Sequence, residues 1–454
     1  MKLDIRQRLT KIYMPKKKGK QPLKRSLSGY ETETFILDKN GALDNSDFVL
    51  KEAEKQGVSV KPEWMKSCVE IVCLPHRRLS STALDLVNNM EKIVTIANKN
   101  DRHIFPFATY FGKNVPVFRE KKRYSVQELM VGEKYKLAGL FCAYHQHYTL
   151  PKGVFDHKKK MLKKSFTSRV KRTMLDSYNF LIAADPILTT FLQSSPYVNN
   201  KLLGKDYRML LQRGGKKLDF MGGEYSNLQM YGGLPPYKQT VTDLISSLNR
   251  RYEKRQQMLE EKGFDTTKLG KETILDFSWN PVKINKIGTL EYRGGDMNFL
   301  SIVLATSTMI KFALRKIQQD FTIVIPMDLK LKDAFKIENN LLFIPPHSLV
   351  RKQLQKESAY KGLASDRLYN YAKAFYNFVN KEVFPEYKHL LKPIEKMLDT
   401  RKTMSDRIIS KAKKMGCHKK LTNEVAKEMA LYYSDMFKKD LQKTKEALTK
   451  THEA

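Results

Sequence analysis

Glu31 and Glu33 stand two residues apart in Gly29-Tyr30-Glu31-Thr32-Glu33-Thr34-Phe35. Three later segments repeat the theme: Cys68-Val69-Glu70-Ile71, His145-Gln146-His147 and Thr289-Leu290-Glu291-Tyr292-Arg293. Side chains two apart on a strand point to one face, so each segment can present its polar groups together. A solvated strand face would explain Glu31 and Glu33 if they stood alone. Glu70 and Glu291 do not fit that account. Both sit inside apolar runs, and a buried carboxylate persists only when paired or metal-bound. Four Glu on three strands suit hard divalent cations such as Mg2+, which take carboxylate oxygens. Such ions bridge polyphosphate oxygens and neutralise the charge that develops in phosphoryl transfer. The two histidines fit one metal ligand and one substrate contact, since zinc would need a third soft ligand and none lies nearby. Arg293 shares a face with Glu291 and is either a phosphate clamp or the salt-bridge partner of a carboxylate. Asp296, after Gly294-Gly295, reads as the cap of a following helix.

The elements that must carry these groups are legible as alternation and periodicity. Val, Ile, Tyr and Phe alternating with polar residues predict strands over 31–37, 68–74, 103–110, 135–150 and 287–293. Apolar residues at helical spacing predict helices over 80–98, 160–192, 241–262 and 296–316. A Gly-rich stretch from Gly214 to Gly233 reads as a long, functional loop. From Leu349 the pattern is helical to the end, broken at Pro385, Pro393 and Gly416. This order predicts an α+β fold. Its sheet is largely antiparallel and curved into an active-site half-barrel, flanked by helices, with a helical C-terminal region. The expected organisation is a basic arm at 1–28, a catalytic domain at 29–345, and a helical region at 346–454 packed on that domain.

Charge and composition bound the function classes. The 454 residues carry 83 Lys+Arg against 48 Asp+Glu, a net +35. That field attracts polyanions, with dense runs at Lys16-Lys17-Lys18, Lys121-Lys122-Arg123, Lys158-Lys159-Lys160 and Lys413-Lys414. Nucleic acid is therefore an expected partner class, set against the simpler account of a lysine-rich solvated surface. There is no G-x-x-x-x-G-K-[ST] and no G-x-G-x-x-G after a strand, which argues against a P-loop or Rossmann nucleotide site. No G-x-S-x-G elbow occurs either. No apolar run approaches the roughly 20 residues of a membrane span. Residues 1–25 hold ten Lys/Arg and one Asp without an apolar core, unlike a secretory signal. The four cysteines form no C-x-x-C pair, so a disulfide framework is not expected and a reducing cytoplasm is.

Taken in order, these segments resemble the glutamate–cysteine ligases and the wider carboxylate–amine ligases related to glutamine synthetase. Gly29-Tyr30-Glu31-Thr32-Glu33, followed by Leu37-Asp38-Lys39-Asn40-Gly41, is similar to the family's opening acidic strand and turn. Ser67-Cys68-Val69-Glu70-Ile71-Val72-Cys73-Leu74-Pro75 resembles its second acidic strand, and His145-Gln146-His147-Tyr148-Thr149-Leu150-Pro151 its histidine strand. Gln193-Ser194-Ser195-Pro196, with Asp206 and Arg208 beyond, resembles its small-Ser-Pro segment. Glu291-Tyr292-Arg293-Gly294-Gly295-Asp296-Met297-Asn298 resembles its strand-to-helix motif. The resemblance implies ATP-dependent amide formation between a carboxylate, typically the γ-carboxylate of glutamate, and an amine such as that of cysteine, through an acyl phosphate. It implies ATP and Mg2+ as cofactors. Glu31, Glu33, Glu70, His145 and Glu291 would be metal ligands, with Glu291 and Arg293 catalytic. Arg293, Arg208 and His147 would contact nucleotide or substrate. The basic arm and the Lys158–Lys164 run have no counterpart in the family pattern. They favour the alternative of a nucleic-acid-binding protein, or of a ligase with a nucleic-acid-linked or otherwise anionic acceptor.

Overall fold

The structure, a computed structural model, describes residues 26–119, 122–163, 168–270 and 272–453. The expected basic arm at 1–28 therefore lies almost wholly outside the described residues, as do Lys121 and Lys164.

The site is carried by one open antiparallel sheet. Its strands are β1 (Ser28–Leu37), β2 (Val60–Pro62), β3 (Cys68–Val72), β4 (His103–Phe105), β5 (Ala143–Thr149), β6 (Val282–Asn285) and β7 (Thr289–Asp296). The order across the sheet is β6-β7-β5-β1-β3-β2, with β4 beside the end of β1. Because β6 and β2 do not meet, the sheet has two edges and is not a closed barrel. Alternation sorts each strand's side chains onto two faces. One face holds Tyr30, Thr32, Tyr144, Gln146, Ile71 and Leu290, all buried. It packs on α1 (Leu79–Asn98), α2 (Arg169–Leu192) and, beyond α3 (Val241–Glu260), on α4 (Leu300–Gln319). Gln146 Nε2 donates to the Ser307 carbonyl of α4 at 3.3 Å, and Thr82 of α1 donates to the Ser28 carbonyl at 3.3 Å. Leu86, Val87, Met90 and Ile93 recur along α1 at helical spacing and are fully buried, each contributing about 1.5–3 kcal/mol of hydrophobic stabilisation. The helical region beyond includes α5 (Asp366–Glu382) and α6 (Asn423–Glu453), which pack on α4 and, for α6, on α1 as well. A single buried cluster runs through Phe35, Phe375 and Phe437.

Several elements depart from the sequence expectation, each for a tertiary reason. Residues 135–142 are not strand. A 3-10 helix at Gly132–Leu140 precedes β5, because Tyr135 turns inward onto Trp64 and Phe118, at centroid distances of 5.6 and 5.7 Å. The strand expected over 103–110 stops at Phe105, where Phe107 leaves the sheet to stack on Phe299 at 5.4 Å. Helix α2 begins at Arg169 rather than near 160. Ser168 caps it by accepting the Lys171 N–H, and residues 155–162 instead form a small hairpin. Pro393 starts a helix, Lys392–Thr400, instead of ending one, as suits a residue that lacks an N–H and has a fixed φ. Asp296 is not a helix cap. Strand β7 runs through it, pairing Asp296 with Ala143, and α4 begins at Leu300 after Phe299.

Candidate active site

Register brings the acidic strands abreast. Glu33 lies opposite Glu70, and Glu70 opposite Lys61. Glu31 lies opposite His145. Glu291 lies between His147 on one side and Lys283 on the other. Cross-strand partners share a face, so all of these point away from the helices. Strand β7 carries a bulge here. Tyr292 pairs with Gln146 and Gly295 with Tyr144, so Arg293 and Gly294 oppose the single residue His145. Bulges re-aim side chains, and this one sets Arg293 beside His145 and Glu31.

Two buried polar groups hold the bulge from behind. Arg208 donates from Nη1 to the Gly294 carbonyl at 2.9 Å and from Nη2 to the Arg293 carbonyl at 3.1 Å. Asp185 and Arg213 form a bidentate ion pair, at 2.5 and 2.8 Å, directly against Gly294. A Cβ on Gly294 would stand 2.5 Å from Asp185 Oδ1 and 2.7 Å from Arg213 Nη2, so only glycine fits. Asp296 Oδ2 accepts from Ser194 N at 2.8 Å and from Ser195 Oγ at 2.7 Å. That tie anchors the Ser-Pro segment to the end of β7, the work Asp296 does in place of capping.

The face opens into a cavity of about 480 Å³. Glu31, Glu33, Glu70, His145, Glu291, Arg293 and Arg208 all line it. His147 shares the face but does not line the cavity. Its Nδ1 is 2.8 Å from Thr289 Oγ1, and its Nε2 is 3.4 Å from Glu31 Oε2. Sequence reasoning missed Lys61, Glu63, Gln127, Glu224, Asp276 and Trp279, which also line it. Glu224 follows Gly222-Gly223 in the expected loop and accepts from Gln127 Nε2 at 2.7 Å. Seven carboxylates and five Lys/Arg line this cavity, a local acidic excess in a chain of net charge +35.

The carboxylates divide by environment. Glu31 faces His145 Nδ1 at 3.3 Å, His147 Nε2 at 3.4 Å and Lys61 Nζ at 3.3 Å. Burial works to raise its pKa, but the two histidines outweigh it and hold the carboxyl far below the usual range. Glu291 accepts from Arg293 Nη1 at 3.1 Å and Asn285 Nδ2 at 2.6 Å. Against burial, Arg293 and then His147 lower it to about 2. Glu33 accepts only the Ala143 N–H, at 2.7 Å, and burial with nearby Glu63 pushes it up to about 8. Glu70 reaches Lys61 at 3.4 Å, yet burial, then Glu31 and Glu63, push it to about 9. Burial likewise pushes Glu224 to about 8. His145 is lowered by burial and then by Arg293. His147 is raised, because Glu31 and Glu291 outweigh its burial.

Among the described residues no three of these side chains already converge as a ready metal cage. Their chemistry nevertheless fits hard divalent cations. Glu33 and Glu70 face each other with too little positive charge to stay ionised, and His145 Nε2 is buried without a hydrogen-bond partner among the described residues. Cations at this face would supply the missing charge, with carboxylate oxygens as ligands. Among the described residues no helix is long and apolar enough to cross a membrane.

No protein-family model matches the sequence, and no curated protein matches it. Solved structures do. A bifunctional glutathione synthetase from Pasteurella multocida aligns at TM-score 0.56 and 13% identity, over 91% of this chain and 52% of that one. The chain thus spans about half the length of that protein. A glutamate–cysteine ligase from Francisella tularensis, solved in complex with AMP, aligns at TM-score 0.51 and 15% identity, over 95% of this chain and 94% of that one. The chain has the fold of the glutamate–cysteine ligases.

Proposed function

We propose that the chain is an ATP-dependent carboxylate–amine ligase. It joins the γ-carboxylate of glutamate to an amine, cysteine's by preference, through an acyl phosphate. One observation carries this reading. Four strands of a ligase-like fold gather Glu31, Glu33, Glu70, His145, Glu291 and Arg293 into one cavity. Glu31, Glu33, Glu70, His145 and Glu291 would hold Mg2+, which when bound supplies the charge that neutralises a triphosphate.

The other groups follow from their positions. Arg293 Nη1 is held by Glu291, so its guanidinium is fixed toward the cavity and stabilises the transferring phosphoryl group. Arg208 positions Arg293 through the bulge carbonyls, and His147 orients Glu31. The chain needs no covalent nucleophile. The substrate carboxylate attacks the γ-phosphorus, ADP leaves, and the amine then displaces phosphate from the acyl carbon. An amine attacks only after losing a proton. Glu224, pushed to about 8 and set apart from the acidic strands, is suited to accept it near neutral pH. Phe141, Trp64 and Trp279 line the cavity and help exclude the water that would hydrolyse an acyl phosphate.

Incubation with Mg-ATP and pooled amino acids tests this directly. A new amide, found by mass spectrometry, should appear with stoichiometric ADP and phosphate for one amino-acid pair. Absence of ADP release with every pair, or full turnover by Glu291→Gln, would overturn the reading.

A further inference from the structure

A second cavity, of about 450 Å³, lies behind the sheet between the start of α1, the later part of α4 and the end of α6. Tyr148 reaches it from β5, and alternation turns Tyr148 away from His147 and the catalytic face. Four cations line this cavity: Arg77, Arg78, Lys311 and Arg315. Lys311 and Arg315 are one helical turn apart on α4, so they share a face. Lys311 is only 7% exposed. Holding a cation that deep is expensive unless an anion compensates it. Arg315 lies with its guanidinium 4.4 Å from the Phe384 ring centre, which fixes it in place, and its Nε is buried without a hydrogen-bond partner among the described residues. Among those residues none of the three arginines forms an ion pair. Tyr148 and Tyr387, both buried, add hydroxyl groups to the wall, with Tyr387 Oη 3.4 Å from Ser80 Oγ. Glu386 is the one carboxylate lining the cavity. The basic residues 1–25 have the wrong charge to fill it.

We propose that this cavity is a binding site for a small, multiply charged anion, separate from the catalytic cavity, in which Arg77, Arg78, Lys311 and Arg315 take up phosphate or carboxylate oxygens and Tyr148 and Tyr387 donate from their hydroxyls. Convergent guanidinium groups suit planar or tetrahedral oxyanions, and the volume suits a small molecule rather than a polymer. Phosphorylated metabolites and polycarboxylates share this chemistry.

Pyrophosphate and citrate, each titrated calorimetrically into the full chain in EDTA-containing buffer, separate the two sources. At least one should bind with one site per chain. Arg77→Gln with Arg78→Gln, both at exposed positions, should weaken that binding about tenfold or more, the loss expected for charge-assisted hydrogen bonds. Glu291→Gln should leave it unchanged. Tight binding of pyrophosphate alone assigns a phosphorylated ligand, and of citrate alone a polycarboxylate. No binding of either, affinity untouched in the double variant, or loss of binding in Glu291→Gln would each overturn the proposal.

Discussion

Mg2+ added to the nucleotide-free protein at pH 7 should expel protons. Glu33 and Glu70 sit face to face with pKa values pushed to about 8 and about 9. At pH 7 such groups are roughly 90% and 99% protonated. Carboxylates bind metal only when deprotonated. About two protons per chain therefore leave if both groups become ligands, and about one if a single group does. Titration calorimetry in Pipes and in Tris, whose ionisation enthalpies differ, reads this number from the difference in heat. Glu70→Gln should lower it by about one. Apparent Mg2+ affinity should rise about tenfold per pH unit for each proton displaced, between about pH 5 and pH 8. Linkage fixes the sign for stability as well. The metal-free native state keeps protons that the unfolded chain loses near pH 4.5. Stability should therefore fall as pH rises from about 4.5 to about 8–9, by up to about 1.4 kcal/mol per unit for each group. Saturating Mg2+ should remove that slope. Binding heats independent of the buffer at pH 7 would refute the reasoning, because they would mean that the two carboxyls are already ionised or do not touch the metal.

Other expectations follow from the same geometry. Glu291→Gln should cut ADP release by about 10²-fold or more, since it loosens Arg293 as well as a metal ligand, while circular dichroism stays native. Gly294→Ala should shift the urea midpoint by about 1–3 kcal/mol for overpacking against Asp185 and Arg213, and should lower kcat more than it raises KM. Asp185→Asn leaves Arg213 buried without its counter-ion and should cost about 3–5 kcal/mol by the same assay. In acid the sign reverses. Glu291, held at about 2, contributes stability that is fully present above pH 4.5 and is lost as pH falls toward 2. Glu291→Gln should flatten that part of the acid unfolding curve.

The acidic strands were legible because period-2 alternation is a local signal. Glu31 and Glu33 needed only each other to share a face, and Glu70 and Glu291 stood out against apolar neighbours. Partner choice across the sheet is not local. That Glu291 would lie beside His147, and Glu31 beside His145, depended on strands more than a hundred residues apart. Glu224 carried no sequence signal, because a Gly-rich stretch has no period to mark a buried face. Tyr135 misled for the opposite reason. Its β propensity is real, but packing on Trp64 and Phe118 overrode it. Asp296 followed two glycines and looked like a cap, whereas the bulge at Arg293 and Gly294 let the strand continue through it.

The central place of β5 has a consequence for how the molecule is made. One side of β5 pairs with β1, which is already synthesised, but its other side waits for β7, about 140 residues later in the chain. Until residues 289–296 arrive, a nascent chain or truncated fragment presents β5 as a bare strand edge beside two histidines and the Glu31 carboxylate. Bare edges recruit other strands, and pairing over such sequence separation is slow. Fragments ending before residue 289 should therefore aggregate as they emerge, and the protein's vulnerability during biogenesis is concentrated in the same strand that holds its chemistry.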